Sequence, residues 1–292
     1  MSSLLERFLS LAAGSADWLP LRSSLRAHMA LLGQDMRVRE RTPPTAQRVL
    51  VLAPHMDDEI FGCGGTLALA VRRGSPVTIA YLTDGRKGYD TRGTHFASEP
   101  EQKRYEDQLV ERRKTEARAV GALLGFRPPQ FLDFPDADLT ATPEALDRVA
   151  QVVEDGRPDA VFLPFLTDPH PDHWATNRLF LEAAARLGLS DRTECWGYEV
   201  WAPLQANSTV DITDVMKEKD AAMEHYQSQA AVSDFRRAFQ GLNIYRSLFV
   251  QGGRGYAEAF WVTDLARYRA LCEALAHFGW RPSSESLHGG VL

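Results

Sequence analysis

Two short polar clusters each follow an apolar run, and both contain groups that can bind a metal or move a proton. One cluster occupies residues 54–59 and the other residues 165–173. Imidazole and carboxylate groups together suit a borderline cation such as zinc. The titratable residues of the two clusters are His55, Asp57, Asp58 and Glu59 in the first, and Asp168, His170, Asp172 and His173 in the second.

Three of these residues are candidate metal ligands. His55 and Asp58 are three positions apart in a predicted strand-to-helix turn, so both side chains can face one point. His173 follows a later predicted strand and supplies the third ligand. Three protein ligands leave one coordination position for water, which is the arrangement of catalytic zinc sites, and a zinc-bound water has a pKa of about 7. Two histidines and a carboxylate also suit Fe²⁺ or another divalent metal, so these residues do not fix the ion.

The remaining groups can do acid–base work. Asp57 stands beside the candidate ligands and is the candidate general base that takes a proton from the activated water. His170 can stabilise a developing oxyanion or protonate a leaving amine. Asp172 can orient a histidine as a supporting carboxylate. Simpler roles stay open, since Asp57 also suits a helix N-cap and Glu59 suits the first turn of a helix.

The elements that must position these clusters alternate regularly along the chain. Apolar runs that predict buried strands are followed by segments with helical periodicity. Such alternation predicts an α/β fold with a mostly parallel sheet and helices on both faces, and its ligand site beyond the carboxyl ends of the strands. The predicted strands are 49–53, 77–82, 130–134, 159–164, 194–201, 209–212 and 256–262, and the predicted helices are 59–73, 101–124, 143–154, 174–187, 215–229 and 235–246.

The chain divides into three predicted parts. Residues 1–45 carry a helix-like apolar stripe that ends at Pro43 and Pro44, and they predict an N-terminal helical extension. Residues 46–282 form a single α/β domain in this interpretation. Residues 283–292 are polar and rich in glycine, and they predict a flexible tail.

Composition excludes several classes of protein. The 292 residues carry a net charge of −6 without a long basic run, which argues against a nucleic-acid partner. Three distant cysteines argue for a reducing compartment rather than a disulfide scaffold. No stretch approaches the roughly 20 apolar residues of a membrane span, and the N-terminus lacks the basic and apolar regions of a signal peptide. We therefore expect a cytoplasmic protein.

The motifs together resemble the PIG-L/LmbE family of zinc-dependent N-acetylglucosaminyl deacetylases. The resemblance covers about residues 48–229 and implies a Rossmann-like (LmbE-like) fold with one Zn²⁺ per chain. It implies that His55, Asp58 and His173 bind the zinc, that Asp57 is the general base, and that His170 stabilises the oxyanion or acts as an acid. The matching segments are residues 54–59, 62–66, 82–85 and 170–173.

The same resemblance suggests substrate contacts. Arg113 falls in a stretch similar to the family's Arg-x-x-Glu, and Asp136 resembles an acidic residue that holds sugar hydroxyls. Residues 226–229 resemble the family's Tyr-x-Ser-Gln helix end. For Arg113 and Glu116 an ordinary ion pair three residues apart on a helix is an equal alternative. The implied partner is a small N-acetylated amino sugar or glycoconjugate, and a homo-oligomer stays open.

Other functions compete with this interpretation. A dinucleotide-binding oxidoreductase needs its glycines directly in the strand-to-helix turn, but Gly62, Gly64 and Gly65 come about ten residues later and suit close helix packing instead. A cysteine hydrolase would use Cys63, which is better explained as a small buried side chain. A non-catalytic sugar-binding protein should lack the base or a ligand. An amidase that acts on a non-sugar N-acyl substrate stays as the alternative.

Overall fold

A computed structural model describes residues 37–91 and 93–277 of the chain. In this part of the chain eight strands form one sheet in the order β1-β7-β8-β6-β5-β2-β3-β4. The strands are β1 (Arg39–Glu40), β2 (Val49–Ala53), β3 (Val77–Thr83), β4 (Gln130–Phe134), β5 (Ala160–Pro164), β6 (Glu194–Tyr198), β7 (Ser208–Asp211) and β8 (Ala257–Asp264).

The predicted, mostly parallel sheet is confirmed. β2 pairs in parallel with both β3 and β5. β3 also pairs in parallel with β4, and β5 pairs in parallel with β6. β8 is the exception, because it runs antiparallel to its neighbours β6 and β7. The carboxyl ends of β2, β3 and β5 therefore meet at one edge of the sheet, where an α/β fold builds its ligand site.

Helices cover both faces of the sheet, as expected for this fold class. The continuous apolar run of β2 alternates between two cores, with Leu50 and Leu52 on one side and Val49 and Val51 on the other. The helices are α1 (Asp58–Arg72), α2 (Glu99–Leu124), α3 (Pro143–Gly156), α4 (Pro171–Leu187), α5 (Met216–His225), α6 (Gln227–Ala230), α7 (Phe235–Arg246), α8 (Leu248–Gln251) and α9 (Leu265–His277), with a 3₁₀ turn at Thr213–Val215 before α5.

The glycines of α1 permit close packing. A Cβ atom on Gly62 would lie 2.4 Å from the ring of Tyr198, and one on Gly65 would lie 2.8 Å from the side chain of Ile212. Real Cβ atoms do not approach that closely, so the helix carrying Asp58 needs glycine to sit this near β6 and β7. The role expected for these glycines is thus seen in the packing.

Three predicted bounds differ from the structure. The strand predicted over 194–201 ends at Tyr198. The helix predicted to begin at residue 174 begins at Pro171, a proline that suits the first helical position, and His170 is its N-cap. His173 consequently lies inside the first turn of α4. The helix predicted over 215–229 is interrupted at Tyr226, whose backbone (φ −81°, ψ 59°) leaves the helical region between α5 and α6.

The ends of the chain are only partly covered by the structure. Residues 1–36 of the predicted N-terminal extension and the predicted tail 283–292 lie outside the described residues. The described end of the extension contains β1, which pairs in parallel with β7, so the sheet already begins before residue 46. No helix within the described ranges is long and apolar enough to cross a membrane.

Candidate metal centre

The two sequence clusters meet at the carboxyl edge of the sheet. His55, Asp57 and Asp58 occupy the turn from β2 into α1, and His170 and His173 occupy the turn from β5 into α4. β2 and β5 are hydrogen-bonded neighbours, which brings the two turns together. The ring centroids of His55 and His173 are 5.4 Å apart, as a shared site requires.

His55, Asp58 and His173 form a compact donor group. One nitrogen or oxygen from each of them lies within 4.8 Å of the others. Asp58 Oδ2 lies 3.1 Å from His55 Nδ1 and 3.4 Å from His173 Nε2. A tetrahedral ion with bonds of about 2.0–2.1 Å separates its ligand atoms by about 3.3 Å. The spacing of these atoms therefore fits a zinc-sized ion.

The surroundings of His173 support the same fit. His173 is fully buried, and within the described residues neither ring nitrogen makes a hydrogen bond of good geometry. Its Nδ1 has Asp168 Oδ1 at 3.1 Å, which leaves Nε2 directed at Asp58. Asp168 and Asp58 are thus ion partners of this ring although the hydrogen-bond geometry is poor. A cation held by His173 and Asp58 would replace the proton that these contacts need.

A second donor group, His55, His170 and Asp172, also lies within 4.8 Å. Its atoms already have partners, however. Asp172 Oδ2 contacts His55 Nε2 at 3.2 Å and accepts the Ala137 N–H at 2.8 Å, and the Asp172 N–H donates to His170 Nδ1. Because these groups satisfy one another, the geometry favours the group that contains His173 as the metal centre.

The charges of the candidate ligands are strongly coupled. Burial opposes protonation of both histidines, but the surrounding carboxylates outweigh it. Asp58, Asp136 and Asp172 raise the pKa of His55 well above its ordinary value. Asp168 and Asp58 raise the pKa of His173 to about 9. The site without metal thus holds two imidazolium ions among carboxylates, and a divalent cation can replace that positive charge.

Asp57 lies beside this group without belonging to it. It is 7% exposed, and its Oδ1 accepts a hydrogen bond from Arg113 Nη2 at 3.2 Å. Burial raises the pKa of Asp57 to about 8, although the positive charge of Arg113 opposes the shift. Its backbone has φ 147° and ψ −27°, a region that residues other than glycine rarely adopt. A carboxylate held in this way can receive a proton near neutral pH.

His170 faces the cavity from the first turn of α4. Its Nδ1 accepts the Asp172 N–H at 3.1 Å, so that nitrogen carries no proton and the Nε2–H is a donor. Its ring centroid is 4.6 Å from that of His55 and 4.8 Å from that of His173. Burial and the positive charges of those two histidines lower the pKa of His170 to about 3. These surroundings favour a neutral His170 whose Nε2–H can donate a hydrogen bond.

Asp136 and Arg113, which the resemblance suggests as substrate contacts, also lie at this site. Asp136 Oδ1 lies 3.2 Å from His55 Nε2, and its other oxygen accepts the Lys87 N–H at 2.8 Å. Arg113 is 2% exposed and donates to Met56 O, Gly85 O and Asp57. Both side chains line the cavity above the metal group.

Arg113 and Glu116 do not form the simple helix pair considered from the sequence. While Arg113 reaches the turn after β2, Glu116 accepts hydrogen bonds from the backbone and the hydroxyl of Ser228 at 3.0 and 2.6 Å. Tyr226 donates to Glu59 at 2.6 Å, and Gln229 donates to Gly88 O. Hydrogen bonds from the Tyr-x-Ser-Gln segment therefore connect α6 with α1 and α2 beside the cavity.

Two residues that the sequence analysis named without a role in the site, Asp168 and Glu59, are part of its structure. Asp168 pairs with His173, accepts the His170 N–H at 3.0 Å and accepts the Trp201 N–H at 3.0 Å. Glu59 is fully buried and accepts from Tyr81 and Tyr226. The position of Asp168, directly after β5, was the available signal for it. The burial of Glu59 depends on distant tyrosines and had no local signal.

Cys63 has the environment of an inert side chain. It is fully buried, and its thiol donates to the Glu59 carbonyl. Burial raises the pKa of Cys63 well above its ordinary value, with further contributions from Glu258 and Glu59. A nucleophilic cysteine needs an accessible, low-pKa thiol, so the competing cysteine-hydrolase interpretation has no support.

Comparisons with known proteins agree with the geometry. Residues 50–184 match the family model described as PIG-L, GlcNAc-PI de-N-acetylase. A diacetylchitobiose deacetylase from Thermococcus kodakarensis is 31% identical over 200 residues, covering 63% of this chain and 70% of the relative. A 1D-myo-inositol 2-acetamido-2-deoxy-alpha-D-glucopyranoside deacetylase from Mycobacterium sp. (strain KMS) is 32% identical over 305 residues, covering 83% and 94%.

A solved structure shows the same fold. The N,N'-diacetylchitobiose deacetylase from Pyrococcus horikoshii superposes with a TM-score of 0.64 at 24% identity, covering 83% of this chain and 93% of that chain. Together with the sequence relatives, this likeness extends well beyond the two metal-site motifs. The chain belongs to the PIG-L family.

Proposed function

We propose that this protein is a metal-dependent hydrolase that removes the N-acetyl group from an N-acetylglucosamine-type amino sugar conjugate. The observation that carries the proposal is the buried donor group of His55, Asp58 and His173, of which His55 and Asp58 line a cavity together with Asp57. Relatives over 30% identical are named as deacetylases of acetylated amino sugars, which supports this choice of reaction.

In this proposal His55, Asp58 and His173 hold one Zn²⁺ per chain. When bound, the ion supplies Lewis-acid polarisation and makes water nucleophilic near neutral pH. The same donors suit Fe²⁺, so the native ion is an open choice between the two. Asp168 and Asp172 keep His173 and His55 oriented, because their carboxylates lie 3.1 and 3.2 Å from ring nitrogens of those histidines.

Asp57 is the proposed general base. Arg113 donates to Oδ1 of its carboxylate, and Asp57 lines the cavity. It receives the proton of the attacking water and returns it to the leaving amine, as a group of suitable pKa can do in both directions. His170 holds its Nε2–H toward the cavity, where it stabilises the negative charge that develops on the acetyl oxygen.

Asp136 is the proposed contact for sugar hydroxyls. It lines the cavity next to His55, and the backbone of Lys87 already orients it. Arg113 holds Asp57 through one of its hydrogen bonds and donates two more to backbone carbonyls. Its Nε has no hydrogen-bond partner among the described residues, and Arg113 also lines the cavity, so it stays a proposed substrate contact. An amidase that acts on a non-sugar N-acyl group uses the same chemistry and is the alternative for this cavity.

The protein's cellular setting is part of the same proposal. All three cysteines are buried and free, which supports a reducing compartment and hence the cytoplasm. Residues 46–282 act as one catalytic domain. Strand β1, from the preceding segment, adds to the sheet of this domain.

Metal content and amine release together test the proposal. Protein purified without added metal should contain about one ion per chain and should release free amine from acetylated glucosamine conjugates. His173→Ala should lose the ion and the activity, because the fully buried imidazole is replaced by a group that cannot bind a cation. His225→Ala, at an exposed histidine on α5, is the matched control. Full metal occupancy in His173→Ala would contradict the assignment.

A further inference from the structure

One wall of the cavity above the metal group is apolar. The cavity has a volume of about 920 Å³, near the upper end for pockets that hold small molecules. Its polar side carries Lys87, Arg113 and Asp136. Another part of its lining consists of apolar side chains from α1, the segment after β6 and α7, namely Phe61, Val200, Trp201, Phe235, Phe239 and Leu242.

The aromatic rings of this wall touch one another. Phe61 stacks on Phe239 with centroids 4.8 Å apart, and Phe235 lies 5.5 Å from Phe61. Trp201 meets Phe235 edge-on at 5.7 Å. These are ordinary attractive separations for aromatic pairs. The four rings therefore form one continuous apolar surface.

This surface adjoins the metal group directly. Phe61 lies one helical turn after Asp58 on α1, so both side chains project from the same face of the helix. Trp201 donates its backbone N–H to Asp168, the carboxylate that pairs with His173. A molecule whose amide lies at the metal group thus reaches the wall without leaving the cavity.

Core packing explains only part of this wall. Phe61 and Phe239 are 5% and 6% exposed and belong to the core around α1 and α5. Val200, Phe235 and Leu242 are only partly buried, yet they pack against that core and turn toward the cavity. Leaving such side chains in contact with water forgoes the hydrophobic stabilisation that covering them would give. A ligand that covers them recovers this energy.

Resting on the proposed function, we infer that the substrate carries an apolar substituent that lies against this wall. A sugar ring presents hydroxyls, for which the polar side with Asp136 and Lys87 is suited. The apolar side offers rings and aliphatic groups instead, so it selects an alkyl or aromatic group. That group is attached at the glycosidic oxygen, because the proposed reaction places an acetyl group on the nitrogen.

A substrate series tests the inference. Amine release by the metal-loaded protein is measured on the methyl, hexyl and naphthyl glycosides of N-acetylglucosamine, and on N-acetyl against N-hexanoyl glucosamine. Each buried CH₂ is worth about a fourfold gain, so kcat/KM should rise at least tenfold from methyl to hexyl glycoside. The acyl pair is the control and should show no such gain. Equal kcat/KM for the three glycosides, or a gain confined to the hexanoyl compound, would overturn the inference.

Variants locate the effect on the wall. Phe235→Ala should reduce the preference for the apolar substrate about tenfold, and Phe235→Leu should reduce it less because it keeps apolar volume. Ile244→Ala, at a 45% exposed position on the same helix, should leave the preference unchanged. A preference that survives in both Phe235 variants, with unfolding temperatures near that of the unaltered protein, would place the apolar group elsewhere.

A binding measurement separates failure of this inference from failure of the proposed function. Methyl and hexyl glycosides of glucosamine are not substrates, so their affinities can be compared by calorimetry even if no amide is hydrolysed. Tighter binding of the hexyl compound, with a more negative heat-capacity change, supports the apolar wall. Equal affinities contradict it. Absence of amine release from every amide in the series would contradict the deacetylase proposal instead.

Discussion

At the scale of single residues, the two adjacent aspartates of the first cluster have different surroundings. Asp58 lies between His55 and His173, and their positive charges hold its pKa well below the ordinary value despite burial. Asp57 faces Arg113 and the cavity in a backbone conformation that costs about 1–3 kcal/mol. The sequence shows two carboxylates side by side, and the turn directs them to different partners.

Asp57→Asn is expected to separate the two roles. The variant should keep its metal, because the asparagine stands outside the donor group, while kcat falls by about 10² to 10⁴ for loss of a general base. Metal content and kcat are measured on the same preparation. If the variant instead loses metal while each remaining ion stays fully active, Asp57 is a ligand and the proposed division is wrong.

His170 offers a second residue-scale prediction. His170→Ala should lower kcat about 10²-fold with little change in metal content, since an oxyanion donor is removed. Because His170 Nδ1 also caps α4 through the Asp172 N–H, the loss of the cap must be controlled. His170→Asn keeps a capping oxygen but lacks the Nε2–H. The His170→Asn variant should therefore have the unfolding temperature of the unaltered protein and still lose activity. Full activity in this variant would exclude the donor role.

At the scale of elements, the sequence was informative where local patterns decide structure. The apolar runs before His55 and Asp168 predicted β2 and β5, and parallel pairing then placed both clusters at one edge. Contacts between distant elements were not predictable in this way. The break at Tyr226 and the burial of Glu59 arise together, because Tyr226 and Tyr81 converge on that carboxylate from α5–α6 and β3.

Tyr226→Phe tests this link between elements. Burial raises the pKa of Glu59 to about 7 from 4.5, and the two tyrosine donors limit the rise. A raised carboxyl pKa contributes stability below pH 4.5 that is lost as the pH rises through about 7. Removing one donor should cost about 1 kcal/mol near pH 5, where Glu59 is neutral, and about 1.5–3 kcal/mol near pH 8, where it is charged.

Urea unfolding at these two pH values, at equal metal content, measures the difference. Tyr245→Phe, at a 55% exposed side chain, is the matched control and should have no effect at either pH. A Tyr226→Phe cost that is the same at pH 5 and pH 8 would show that Glu59 does not ionise in the folded protein.

At the scale of the whole molecule, the sheet carries a core on each face and concentrates buried charge at one edge. Buried ionic groups are tolerated where partners satisfy them, as in the pair of Lys219 with Glu258, whose carboxylate also accepts the N–H groups of Gly65 and Thr66. At the candidate metal group, Asp58 and Asp168 lie 3.4 and 3.1 Å from the ring nitrogens of His173. The positive charge that balances these buried carboxylates is carried by protonated histidines, and a bound cation would take their place.

Metal uptake should release protons. Imidazoles bind a metal only when neutral, and the carboxylates around His55 and His173 keep both protonated at pH 7 in the metal-free protein. The affinity for the metal should therefore fall as pH falls, by up to about 100-fold per pH unit between pH 6 and 8, with close to two protons released per ion.

Titration calorimetry in two buffers of different ionisation enthalpy counts these protons. Asp168→Asn removes a carboxylate that holds the proton on His173, so it should release fewer protons near pH 8, whereas His225→Ala should release as many as the unaltered protein. Metal binding without proton release at pH 7 would contradict this assignment of ligands.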